Sequence, residues 1–130
     1  MAYLFGYYAK DQNYKDCARA VVETLYIPPQ FGDRTSIIPQ PDQDVFLIDR
    51  ITKDLILECV GLIFTTLKEE NVALTSYNLR KAAKLQQAYT FTHPSRFQIS
   101  RFVTCVARPT DKGECEIDIY MVSDMCQAYI

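Results

Sequence analysis

The tightest constraint on how this chain can fold is the run Val60-Gly61-Leu62-Ile63-Phe64-Thr65-Thr66. It is short, free of charge and rich in β-branched and aromatic side chains, which fits a buried central strand rather than a surface one. A polar, helix-like segment precedes it. The polar stretch 68–73 follows, and then Leu74-Thr75-Ser76-Tyr77-Asn78 opens a helix. Thr75 or Ser76 supplies the N-cap, because a hydroxyl there accepts from orphan N–H groups of the first turn. A buried strand feeding through a polar loop into a helix start is a common setting for a metal-assisted active site. The same stretch therefore sets the core and raises the question of chemistry.

At 130 residues the chain is long enough for one domain, 1–130, with a real core. Hydrophobic residues at 48% and charged ones at 23% exclude wholesale disorder. A net charge of −2 gives no electrostatic footprint for nucleic acid. Asp49, Arg50, Lys53, Asp54 and Glu58 break up the one region that could approach a membrane span. Tyr7, Lys10, Asp11 and Gln12 interrupt any signal peptide. The expected compartment is cytosolic or nuclear. The five cysteines agree, being odd in number and without Cys-x-x-Cys spacing, so they indicate neither a disulfide framework nor a zinc ribbon. Cys59 and Cys105 lie in apolar strand-like sequence and read as core. The competing reading makes one of them a nucleophile with His93, the single histidine.

Taken in order, Tyr3 to Tyr8 is an aromatic strand with almost no leader, an opening that suggests a fragment of a longer protein. Asn13 and Asp16 resemble a capping box ahead of Ala18, Val21, Val22 and Leu25 at helical spacing. Ala20 to Tyr26 reads equally well as a strand. Pro28-Pro29 closes that segment, and the tract to Pro41 is loop. A helix is expected from Asp42 or Asp44, with Val45, Ile48, Ile51 and Leu55 on one face. Another runs from about Ser76 to Ala88, turning Leu79, Ala82, Ala83 and Gln86 inward and Arg80, Lys81 and Lys84 to water. Phe91 to Ser95 is loop. Ile99–Ala107 and Glu114–Val122 form a hairpin through Thr110-Asp111-Lys112-Gly113, and Ser123 caps a last helix. The pattern is α+β, a curved sheet with helices on it.

Seven segments in order carry a resemblance: Tyr3-Leu4-Phe5-Gly6-Tyr7-Tyr8, Tyr26-Ile27-Pro28-Pro29-Gln30, Val60-Gly61-Leu62-Ile63-Phe64-Thr65, Ala82-Ala83-Lys84-Leu85-Gln86, His93-Pro94, Phe102-Val103-Thr104 and Tyr120-Met121-Val122-Ser123. Together they resemble the MPN domain of the nuclear protein localization protein 4 family, over nearly the whole chain. The segment 68–73 is shorter than in animal members. The family's upstream zinc-finger region and C-terminal domain are not in this sequence. The resemblance implies an MPN (JAMM-like) fold, a curved mixed sheet flanked by helices. It also implies a substrate-recruiting cofactor of the AAA ATPase segregase valosin-containing protein, acting with a ubiquitin-fusion-degradation partner. Such a cofactor recognises ubiquitin or polyubiquitin chains in ubiquitin-dependent degradation, including that of proteins extracted from the endoplasmic reticulum. Its places are the cytoplasm, the nucleus and the cytosolic face of that membrane, without membrane insertion and without nucleic acid. No ubiquitin-contacting residue follows from a motif.

Active MPN enzymes hold zinc with His-x-His at the end of the central strand and an Asp at the next helix start, leaving an open position where water is acidified. Aligning Val60-Gly61-Leu62-Ile63 with the residues before those histidines puts Phe64 and Thr66 at the histidine positions and Asn78 at the aspartate. The catalytic glutamate position falls before Met1. The scheme needs two histidines and the chain has one. The expectation is a catalytically degenerate domain with no catalytic residues, no metal and no cofactor. Two alternatives stand beside it: an inactive MPN scaffold of the proteasome-lid or initiation-factor type, and a cysteine hydrolase.

Overall fold

The computed structural model describes residues 1–34, 36–67 and 74–130. They group into two compact units, Met1–Gly61 and Leu62–Ile130.

In the first unit β1 (Ala2–Lys10) pairs antiparallel with β2 (Ala18–Tyr26), from Tyr3↔Tyr26 to Lys10↔Ala18. Of the two conformations open to 18–26 the strand prevails, because the backbone groups of β1 are satisfied by that partner. The capping box at Asn13 and Asp16 does not form. Instead the Asp11 carboxylate accepts from the N–H groups of Asn13 (2.7 Å) and Tyr14 (3.1 Å), bonds that hold its pKa below the ordinary carboxylate range, and Asp16 turns the chain at φ 69°. A bulge between Phe5 and Gly6 shifts the register and brings the backbone of β2 against Gly6. The tract read as loop contains a small ribbon, β3 (Gln30–Gly32) with β4 (Ile37–Pro39). The Gln30 carboxamide ties it to β1, accepting from the Met1 ammonium and donating to the Met1 carbonyl, each at 2.8 Å. The Tyr26 hydroxyl donates to Asp42 at 2.7 Å, and that carboxylate pushes the phenol up to about 12.

Helix α1 (Val45–Asp54) begins after Asp44, as its spacing predicts. It ends in a Schellman arrangement: Leu57 N–H donates to the Thr52 carbonyl and Ile56 N–H to that of Lys53. Ile56 occupies the left-handed position at φ 58°, where glycine is usual and a β-branched side chain is strained. The expected apolar face is a partial correction. Only Thr52 of this helix is buried, while Val45, Ile51 and Leu55 are exposed and Phe46 is 88% exposed. Periodicity locates the stripe but does not say what covers it.

Strand β5 (Glu58–Thr65) belongs to both units. Its residues 58–61 fall in the first unit and 62–65 in the second. In the second unit α2 (Ser76–Ala88) is capped by Thr75, whose hydroxyl accepts from Asn78 N–H at 3.2 Å. Ala82, Ala83 and Gln86 face inward as expected. The Gln86 carboxamide meets the backbone of Val122 as a strand would, giving and receiving one bond of 2.9 Å. The stretch after α2 is not plain loop: β6 (Thr90–Thr92) and β7 (Gln98–Ser100) form an antiparallel ribbon. β8 (Val103–Pro109) and β9 (Cys115–Tyr120) make a hairpin about the expected turn, at Gly113 with φ 78°. The strand expected over Ile99–Ala107 is split, since Ile99 and Ser100 belong to β7 and β8 starts only at Val103. Arg108 of β8 pairs across it with Glu116 and Asp118 of β9. Ser123 caps α3 (Asp124–Ala128) through the N–H of Cys126. Antiparallel hairpins with separate helices are the α+β class. The stretch 68–73, read as a short polar loop, lies outside the described residues.

Candidate functional site

The site that the sequence singles out is built where β5 ends and α2 begins. Along β5, Cys59, Val60, Gly61 and Leu62 are buried without alternation, as in a strand covered on both faces. Phe64 follows at 6% exposure. Thr66, just past the strand, donates its N–H to the Ala107 carbonyl at 3.0 Å, and its hydroxyl donates to the Leu67 carbonyl at 3.2 Å. Asn78 is half-buried in the first turn of α2, its N–H on the Thr75 hydroxyl. A phenyl group has no lone pair for a metal, and a hydroxyl and a carboxamide are weak neutral donors. Zinc sites draw on thiolate, imidazole and carboxylate. These three residues do not fit one. Among the described residues no three His, Cys, Asp or Glu side chains converge to hold a metal.

The cysteine reading fares no better geometrically. Cys59 and Cys105 are buried, as their strand context predicts. Burial pushes the Cys105 thiol up, away from the thiolate a nucleophile needs. His93 is exposed at the turn between β6 and β7, and its Nδ1 lies 2.6 Å from the Ser95 hydroxyl within that same turn.

The structure adds a groove that sequence reasoning passed over. A space of about 290 Å³ opens between α2, the end of β9 and α3, lined by Leu79, Ala82, Thr104, Met121, Val122 and Cys126 among others. No carboxylate, imidazole or ammonium group lines it. It can seat an apolar side chain but offers no acid–base pair. The signal available in the sequence was the apolar Tyr120-Met121-Val122 ahead of the Ser123 cap, which places large side chains beside the inward face of α2.

Fold and site define the class: an α+β chain in which a buried strand leads into a capped helix and apolar mass fills the strand's end. The model of the NPL4 family matches residues 1–130, and the chain belongs to that family. It is 30% identical over 152 residues to nuclear protein localization protein 4 of Saccharomyces cerevisiae, covering 98% of this chain and 26% of that protein. Against the Candida albicans protein of the same name the identity is 30% over 151 residues, with 98% and 25% covered. With the human homolog it is 28% over 145 residues, with 98% and 24% covered. The chain thus spans about a quarter of the length of the curated relatives it matches. Among the described residues no helix is long and apolar enough to cross a membrane.

Proposed function

We propose that residues 1–130 form one non-catalytic MPN domain of a substrate-recruiting cofactor. The cofactor recognises polyubiquitin chains and, with its ubiquitin-fusion-degradation partner, presents them to the valosin-containing AAA ATPase. Its setting is ubiquitin-dependent degradation, including that of endoplasmic-reticulum proteins, in the cytoplasm and nucleus. Membership of the NPL4 family supports the recruiting role. The non-catalytic part rests on one observation, the buried phenyl of Phe64 at the position where the resemblance calls for a metal-binding imidazole. Water cannot be acidified by a metal that has no ligands there.

The purified protein is accordingly expected to contain no stoichiometric zinc and to leave ubiquitin chains uncut. One zinc per chain, lost on Asn78→Ala, overturns this.

Recognition is tested by titrating labelled ubiquitin chains against residues 1–130 and against a longer version carrying the family's C-terminal domain. In the proposed arrangement the two domains share the ubiquitin surface. Half a surface loses contacts while the entropic cost of association stays nearly constant. The expected dissociation constant of residues 1–130 for free mono-ubiquitin is on the order of 100 μM or weaker, and binding of polyubiquitin should strengthen clearly in the longer version. Equal affinities place the whole surface within 1–130. No binding by either removes the ubiquitin reading.

A further inference from the structure

The β6–β7 ribbon has two unlike faces. On one, Thr92 meets Gln98, whose amide donates to the threonine hydroxyl at 2.8 Å, and Thr90 meets Ser100. On the other, Phe91 meets Ile99 across the strands, and Phe97 and Arg101 share its side by alternation. The Arg101 guanidinium lies 4.1 Å from the centre of the Phe91 ring, a cation–π contact that fixes both groups on this face. The cross-strand pairing, rather than any sequence period, gathers these apolar groups on one face. Its outer part is open: Phe97 is 71% exposed and Ile99 is exposed, while Phe91 is half-buried.

The ribbon is held at both ends. At its root Tyr89, the C-cap of α2, stacks on the buried Phe102 ring at 5.1 Å, and the Ser100 hydroxyl donates to the Tyr89 carbonyl at 2.8 Å. At its tip the turn closes by His93 N–H to Phe97 O and Arg96 N–H to His93 O, with Arg96 at φ 69°. An exposed apolar face on a braced backbone costs little to order on binding.

Charge decides what would cover it. From residue 74 to residue 110 there is no Asp or Glu, while Arg80, Lys81, Lys84, Arg96, Arg101 and Arg108 are present. Arg108 pairs with Glu116 and Asp118, Arg101 is engaged with Phe91, and Lys81 is half-buried. Arg80 and Lys84 are exposed on α2, which leads to the ribbon's root, and Arg96 is exposed at the ribbon's tip. This local excess of positive charge sits in a chain whose net charge is −2. We infer that the Phe91/Phe97/Ile99/Arg101 face of the β6–β7 ribbon is a docking surface for an acidic protein segment with interspersed apolar side chains. The apolar groups would cover Phe97 and Ile99, and the carboxylates would meet the exposed Arg96, Arg80 and Lys84. This surface is independent of the ubiquitin reading.

The test uses the full 130-residue chain and a fluorescein-labelled 12-residue peptide in which glutamates alternate with leucines and phenylalanines. Anisotropy titrations at 50 and 300 mM salt should show saturable binding that weakens with salt. Arg96→Glu and Phe97→Ser should each weaken it about tenfold, as for anchors at the centre of an interface. Lys15→Glu, on an exposed turn of the other unit, should leave it unchanged. Both ribbon residues are exposed, so an unaltered urea midpoint shows that the variants remain folded. Equal binding by Phe97→Ser overturns the inference, as does equal affinity for a lysine-substituted peptide. Tighter binding of a 12-nucleotide oligothymidine than of the acidic peptide overturns it in favour of nucleic acid.

Discussion

Phe64→Ala is expected to lower the unfolding free energy by about 3–5 kcal/mol, the range for deleting a buried aromatic and leaving a cavity. The side chain is 6% exposed near the end of β5, next to Leu62 at 1% along a strand that continues the core. Collapse of the cavity is limited, because Thr66 just beyond is fastened to β8 through the Ala107 carbonyl. A domain of this size has about 5–15 kcal/mol in total, so the variant loses a large share and should be measured by urea denaturation in the cold. Phe64→Leu keeps most of the volume and should cost less than about 1.5 kcal/mol. A cost under about 1 kcal/mol for the alanine variant would mean that the ring is not packed as described. Phe64→His is informative for function: an imidazole in this apolar site, with Thr66 and Asn78 unchanged, should destabilise without recruiting zinc.

What the sequence made legible, and what it did not, follows from the range of the interactions involved. β5, α2 and α3 were readable because their signals are local: a continuous apolar run, and Thr75 and Ser123 as caps. The β8–β9 hairpin was readable from Thr110 to Gly113 and the strand-like runs around it. Ala18–Tyr26 was ambiguous because Val21, Val22 and Leu25 satisfy either period, and only pairing with β1 decides. The ribbons β3–β4 and β6–β7 were missed for another reason. Triplets such as Thr90-Phe91-Thr92 are too short to show a period, Pro39 disfavours a strand although it ends β4, and Pro94 marks the turn between β6 and β7. The face of α1 was placed correctly as a stripe, yet exposure of Val45, Phe46 and Ile51 is a tertiary fact that no helical wheel contains. At the candidate site the residue types at 64, 66 and 78 were readable from alignment to a motif, whereas the groove at Met121 and Val122 required α2, β9 and α3 to be brought together.

Gly6→Ala is expected to be among the most damaging single-methyl additions in the chain. At the bulge between Phe5 and Gly6, β2 crosses so near β1 that a Cβ on Gly6 would stand 1.7 Å from the Val21 carbonyl oxygen and 2.8 Å from its carbon. Both atoms are backbone, so no rotamer change relieves the clash. Either the bulge opens or the ladder from Gly6↔Val22 to Lys10↔Ala18 slips, and a slip by one residue exchanges the two faces of the hairpin. Overpacking that must move backbone costs at the upper end of its range, about 3 kcal/mol or more. Gly32→Ala is the matched control, because a Cβ there meets only the Ser36 carbonyl oxygen at 3.8 Å, an ordinary contact. It should be neutral or stabilising by about 0.4–1 kcal/mol, through lost freedom of the unfolded chain. Urea melts of the two variants beside the parent read the difference directly. If Gly6→Ala melts with Gly32→Ala, the close approach at Val21 is wrong, and with it the register that makes 18–26 a strand. If it melts early while Gly32→Ala does not, the glycine is required by the bulge itself. The aromatic segment Tyr3-Leu4-Phe5-Gly6-Tyr7-Tyr8 then owes its glycine to strand packing rather than to any ligand.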